Sequence, residues 1–153
     1  VDMKSVRLLL GLLFVSLLAA CATEQSGWID APLKDTSWKL VTIEDNRGSE
    51  GRRVVSNTTD IQMNLRANGD VDFTLGCQQG TTRWESSPGD TLDQGAIRFY
   101  GMQIAATSCE PDQVVQRFLQ DFKVMRSYVL IQNHLYINTM ANETTYGWRQ
   151  INH

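Results

Sequence analysis

Histidine, basic charge and long apolar runs are all scarce in this chain, and each shortage removes a class of function. Only His134 and His153 are present. His134 falls in a polar Gln132-Asn133-His134 turn and His153 ends the chain, so neither belongs to a spacing that holds zinc or copper. There is no Gly-x-Ser-x-Gly motif and no histidine in a segment that could serve a nucleophile, so nucleophilic catalysis finds no support. No Gly-rich phosphate loop occurs. Lys and Arg number 14 against 17 acidic residues. That balance denies a nucleic acid the basic face it needs, and denies anionic lipid a polybasic segment. The longest apolar run, Leu8 to Leu18, falls short of the roughly 20 residues a spanning helix requires. No internal repeat or low-complexity tract appears. No cofactor and no catalytic residue emerge, and an enzyme is not expected.

What is present begins with an address. Met3-Lys4-Ser5-Val6-Arg7 is a basic start, Leu8 to Leu18 an apolar centre, and Ala19-Ala20 a small-residue end, the three parts of a secretion signal. Val1 and Asp2 precede Met3 without a role in that pattern. The tetrad Leu18-Ala19-Ala20-Cys21 resembles the bacterial lipobox. That resemblance implies cleavage before Cys21, lipidation of its thiol and acylation of the new amine, and two or more acyl chains anchor stably where one does not. Ala22, rather than Asp, follows the cysteine, which resembles the sorting choice for the outer membrane. The expected organisation is therefore a signal peptide over 1–20, a lipidated Cys21 with a polar tether through 36, and one domain over 37–153. Without the signal the net charge is about −4, and the remaining length suits a single domain.

The domain reads as mainly β. Ser37 to Ile43 is β-rich, Asp45 to Thr59 reads as a long loop, and Ile61 to Leu65 and Val71 to Leu75 alternate with period two around Asn68-Gly69-Asp70, a strong hairpin signal. Thr81 to Glu85 and Ala96 to Tyr100 are further short strands, separated by the turn cluster Ser86 to Asp90. Tyr128 to Ile131, Leu135 to Ile137 and Thr145 to Ile151 close the chain. One segment differs. Pro111 and two acids, Glu110 and Asp112, open a helix. Val114, Val115, Phe118, Leu119, Phe122 and Met125 then recur at three and four residues, giving one amphipathic helix over about 112–125. Lys123 and Arg126 stand at the end its dipole prefers. The pattern predicts an antiparallel barrel-like or strongly curved sheet, plugged or covered by that helix.

The order of these features resembles the META domain family, also called HslJ-like, over residues 37–151. The features that carry the likeness are Trp38 on the first strand, the hairpin Ile61 to Gly76 ending in Gly76-Cys77-Gln78, the segment Ile97 to Cys109, the amphipathic helix and the closing hairpin Tyr128 to Ile137. Gln78 stands where the family has Asn, and Ala105 and Thr107 where it usually has Thr and Met. The resemblance implies a lipocalin-like barrel in the cell envelope and associations with heat shock, antibiotic tolerance and secretion. It brings no established catalytic residues.

With Cys21 lipidated, Cys77 and Cys109 are the cysteines left. An even pair in an oxidising periplasm reads as a disulfide; two buried free thiols or a thiolate metal site are the alternatives. The family carries Cys at these same positions, and a structural bond there is expected to be buried and inert. Met63, Met102, Met125 and Met140 read as core packing. Asp70 and Asp72, two apart on one strand, read as solvation of an outer face rather than as a glycosidase pair. Asn57-Thr58-Thr59 and Asn142-Glu143-Thr144 match a glycosylation pattern that a bacterial lipoprotein has no reason to use. Arg52-Arg53 reads as a solvated spot in a loop. The leading expectation is a non-enzymatic outer-membrane lipoprotein, on the periplasmic side, serving envelope maintenance or stress tolerance by binding a protein or wall component. A barrel holding one small apolar ligand is the second, and an inhibitor of host hydrolases the third. The helix face from Val114 to Met125 decides between the first two: if it fills the barrel, no cavity remains.

Overall fold

The computed structural model describes residues 31–48, 51–55 and 59–151. The expected signal peptide, Cys21 and the tether up to residue 30 lie outside the described residues, as do Asn57, Thr58 and His153. Ten strands and one α-helix follow in chain order among the described residues: β1 Thr36–Asp45, β2 Gly51–Val54, β3 Ile61–Leu65, β4 Asp70–Leu75, β5 Gln78–Pro88, β6 Gln94–Phe99, β7 Gln103–Ile104, α1 Gln113–Asp121, β8 Met125–Ile131, β9 His134–Thr139 and β10 Thr144–Gln150.

Period-two alternation sets which faces turn inward. Ile61, Met63 and Leu65 on β3 and Val71, Phe73 and Leu75 on β4 are buried, with less buried polar residues between them. Gly69 takes a φ of 86°, and its N–H donates to the Arg66 carbonyl at 3.0 Å, closing the β3–β4 hairpin. Every pairing is antiparallel, in the order β1, β3, β4, β5, β6, β8, β9, β10. β10 then pairs back onto β1, from Trp38 opposite Gln150 to Asp45 opposite Thr144, and closes the barrel. Closure removes two sheet edges at once. It brings β1 and β10 so near that a Cβ on Gly147 would collide with the Thr42 hydroxyl.

The barrel has two rims. The entry rim carries the start of β1, the β3–β4, β5–β6 and β8–β9 turns and the end of β10. The helix rim carries the β4–β5 and β9–β10 turns and the chain from Gly101 into α1. Leu33, in a 3₁₀ turn over Ala31–Leu33, is fully buried. Its carbonyl accepts from the Thr36 hydroxyl at 2.7 Å, and the Thr36 oxygen in turn accepts from Trp38 Nε1 at 2.7 Å. The domain thus starts before the tether was expected to end, because burying Leu33 holds that turn against the fold.

Other boundaries shift for tertiary reasons. The segment expected as a loop from Asp45 to Thr59 contains β2, paired with β1 from Thr42 opposite Val54 to Asp45 opposite Gly51. All four β2 residues are exposed, so no inward periodicity announces it. The helix is shorter than expected: α1 ends at Asp121, Phe122–Val124 is a 3₁₀ turn, and Met125 already belongs to β8. Met125 pairs with Thr139 on β9; the ladder takes over where the helical periodicity could have continued.

Candidate functional site

The first candidate, the barrel interior, is full. Asp112 caps α1, its Oδ1 accepting from the Val115 N–H at 2.9 Å and its Oδ2 from the Thr59 hydroxyl at 2.6 Å. Burial would raise its carboxyl, but the hydrogen bonds from Thr59 and from the Val115 and Val114 N–H groups outweigh it and hold the group below 3.8. From that cap the helix turns Val115 and Phe118 fully inward, with Val114 and Leu119 partly buried beside them. The Phe118 ring lies 5.7 Å from Phe73, 5.7 Å from Phe122, 5.7 Å from Tyr146 and 5.8 Å from Trp148, centroid to centroid. Phe122 continues the cluster to Phe99 at 4.9 Å. Such edge-on and tilted pairs add attraction beyond the area they bury. The helix face fills the lumen from one rim, and Leu33 is buried at the other.

A polar lock secures the helix at its rim. Arg117 sits between Asp45 of β1, at 3.3 Å, and Asp121 one turn on, at 3.8 Å. The Tyr146 hydroxyl donates to Asp121 Oδ2 at 2.7 Å. Burial first, then the Asp121 carboxylate, pushes the Tyr146 phenol well above 10.0. The Asp45 carboxyl is lowered, chiefly by the Arg47 N–H it accepts from, with the Arg47 and Arg117 charges adding to this against burial. Sequence reasoning did not single out these four residues. The one local signal was Arg117 and Asp121 at i and i+4, the charged pair on a helix whose other polar residues are glutamines.

Cys77 and Cys109 are disulfide-bonded, with Cα atoms 6.2 Å apart. Gly76, at φ 64°, makes the β4–β5 turn that presents Cys77, and its N–H donates to the Asp60 carbonyl at 2.7 Å. Gln78, the departure from the family pattern, reaches across to donate to the Cys109 carbonyl at 3.1 Å. The bond ties the segment before α1 to the β4–β5 turn. Its environment corrects one expectation: Cys77 is exposed and Cys109 only half-buried, because the bridge crosses the rim rather than the core. Among the described residues no group of His, Cys, Asp and Glu could hold a metal ion.

The remaining sequence candidates lie apart. Asp70 and Asp72 face outward, and each has an arginine: Arg66 pairs with Asp72, and Arg83 stands 3.9 Å from Asp70. They line an open groove of about 490 Å³ with Thr81, Arg83, Tyr100 and Gln103. Tyr100 is 41 % exposed, and its phenol is raised mainly by a hydrogen bond to Glu85. His134 stacks on Tyr136 at 6.4 Å, on β9 rather than in the turn. Met63 and Met125 are core residues and Met102 packs against the core, but Met140 is 58 % exposed at the β9–β10 turn. Arg52 and Arg53 are exposed on β2, and Asn142 lies in the β9–β10 turn, its carbonyl accepting from Asn46 at 2.8 Å.

These observations define a small antiparallel β-barrel, closed on itself, plugged by its own helix and stapled by a disulfide at the helix rim. The chain belongs to the META domain family, whose model matches residues 31–150. Two solved structures share the fold. A protein from Burkholderia xenovorans, solved by NMR, is 16% identical, with a TM-score of 0.61 over 80% of this chain and 86% of its own. A DUF4847 family protein from Bacteroides vulgatus ATCC 8482 is 11% identical, with a TM-score of 0.53 over 76% of this chain and 93% of its own. At these identities the likeness speaks for the fold alone. No curated protein matches the chain in sequence.

Proposed function

We propose that this META domain protein is a non-enzymatic lipoprotein of the outer membrane, anchored through Cys21. It serves envelope maintenance or stress tolerance by recognising an envelope protein or wall component with its outer surface. The carrying observation is the filled lumen: Phe118 is fully buried among four other aromatic rings, so an apolar ligand would have to displace core side chains to enter. The small-ligand reading therefore loses its cavity, and recognition moves to the outside. The groove between β4, β5 and the segment Tyr100–Gln103 offers an exposed aromatic ring beside amide, hydroxyl and charged groups. A glycan or a polar peptide is the chemistry such a lining suits.

Affinity capture from envelope extract, after crosslinking, tests this with the mature protein and with an Arg83→Glu/Tyr100→Ala double variant. Wild type is expected to retain an envelope protein or wall fragment that the variant loses. Equal retention by both would remove the groove from the proposal. Mass spectrometry of the mature N-terminus tests the anchor: an acylated Cys21 is expected, and an unmodified Cys21 or an uncut Met3 would overturn it.

A further inference from the structure

Resting on the anchor reading above, we propose that the entry rim of the barrel lies against the lipid surface, with Leu92 and Ile131 as its apolar contact points. The two side chains are 66% and 55% exposed. Leu92 lies in the β5–β6 turn and Ile131 ends β8, on the same rim. Gln94 pairs with Val129, and the Leu130 N–H donates to the Asp93 carbonyl at 2.6 Å, so the turn that carries Leu92 lies beside the end of β8 that carries Ile131. A pair of large apolar side chains on one rim is a surface feature the core does not explain.

The chain itself says which surface covers them. It enters the fold at this same rim, pinned by buried Leu33 and by Asp35, whose Oδ1 accepts from the Ala67 N–H at 2.9 Å. From Cys21 to Ala31 is ten residues, a reach of at most about 35 Å. The entry rim is thus held close to the anchor. The helix rim, with exposed Met140, stands farther off by the height of the barrel, about 16 Å for the tilted strands β8 and β9. Around the entry rim β1 lies between β3 and β10, whereas β6 and β8 lie on the other side. Tether and apolar pair therefore hold the rim at two separated points. Tethering also lets weak contacts suffice, because the second attachment is intramolecular.

Charge selects the kind of surface. Lys34, Arg66 and Arg149 on this rim stand against Asp35, Asp90 and Asp93, a mixture with no strong sign. Apolar insertion at a zwitterionic interface fits this rim, and electrostatic attraction to anionic lipid does not.

The test uses the mature lipidated protein in vesicles of dibrominated phosphatidylcholine, whose bromines quench nearby tryptophan. Leu92→Trp and Met140→Trp each place a reporter at an exposed position on opposite rims, read as the emission added over wild type. The added emission of Leu92→Trp should be lost in brominated vesicles and that of Met140→Trp kept. Ile131→Asp should restore the Leu92→Trp signal, and high salt should change nothing. Quenching of Met140→Trp alone, equal quenching of both reporters, or quenching that disappears in salt would overturn the proposal. An acylated chain whose Leu92→Trp reporter is never quenched rejects this orientation and leaves the anchor standing; it would assign the apolar pair to a protein partner. An unacylated Cys21 rejects anchor and orientation together.

Discussion

Replacing Phe118 by alanine tests the claim on which the functional reading depends, that α1 is the barrel's core and not a detachable cover. The ring is fully buried and borders Phe73, Phe122, Tyr146 and Trp148. Truncation removes about 2 kcal/mol of burial free energy. It leaves a cavity of roughly 100 Å³, which at about 24 cal/mol per Å³ costs a further ~2.4 kcal/mol if the walls do not move. They have little freedom to do so, since Phe73, Tyr146 and Trp148 stand on strands of a closed ladder. The expected loss is about 4–5 kcal/mol, a large part of the 5–15 kcal/mol typical of a whole domain, and at this size a drop of roughly 15 °C in Tm. Urea unfolding followed by tryptophan emission measures it, since Trp38, Trp84 and Trp148 are all buried. Gln120→Ala, on the exposed face of the same helix, should stay within about 0.5 kcal/mol of wild type. A loss below about 1 kcal/mol for Phe118→Ala would refute the packing argument. It would return the helix face to the list of partner-binding surfaces.

Three further outcomes follow from the same geometry. Removing the disulfide with Cys77→Ser/Cys109→Ser should cost about 3–4 kcal/mol on the loop-entropy account; a thiol titration of the oxidised protein should find neither sulfhydryl free, and a loss under 1 kcal/mol would show that the bridge holds nothing the core does not. Asp112 titrates below 3.8 when folded, so its contribution is complete above that pH and is lost as pH falls through the lowered value; Asp112→Ala should cost about 1 kcal/mol at pH 7, with the gap to wild type shrinking in acid unfolding curves. Tyr146 is the opposite case, a phenol raised above 10.0, so its contribution is complete below pH 10 and is lost as pH climbs toward the folded value. Tyr146→Phe should lose about 1.5–3 kcal/mol at pH 7 with the bond to Asp121, and a stability series from pH 7 to 11 should show that deficit narrowing; a constant deficit would mean the phenol stays neutral in both states.

The legible parts of this molecule were the local ones. Alternation marked Ile61 to Leu65 and Val71 to Leu75, and the Asn68-Gly69 turn between them, because side-chain period and glycine's left-handed φ are properties of a few adjacent residues. The three-and-four spacing marked the inward face of α1 for the same reason. β2 escaped because all four of its residues are exposed, with no buried side chain to leave a periodicity. Arg117 escaped as part of a site because its partner Asp45 is 72 positions away. The exposure of Cys77 was also beyond reach, since the Gly76 turn sets it and neighbouring residues do not.

Composition and pattern were enough to predict a β-rich family, an inward-facing amphipathic helix and a cysteine pair. Each rests on residue identity at short range, where propensity and periodicity act. That the sheet closes through β1 and β10, that α1 fills the lumen, and that Leu92 and Ile131 share the rim where the chain enters were decided by tertiary structure alone. They are relations between segments distant in sequence, set by which aromatic rings pack together and how the last strand returns to the first. No local rule specifies them, because their free energy exists only once the whole barrel has closed.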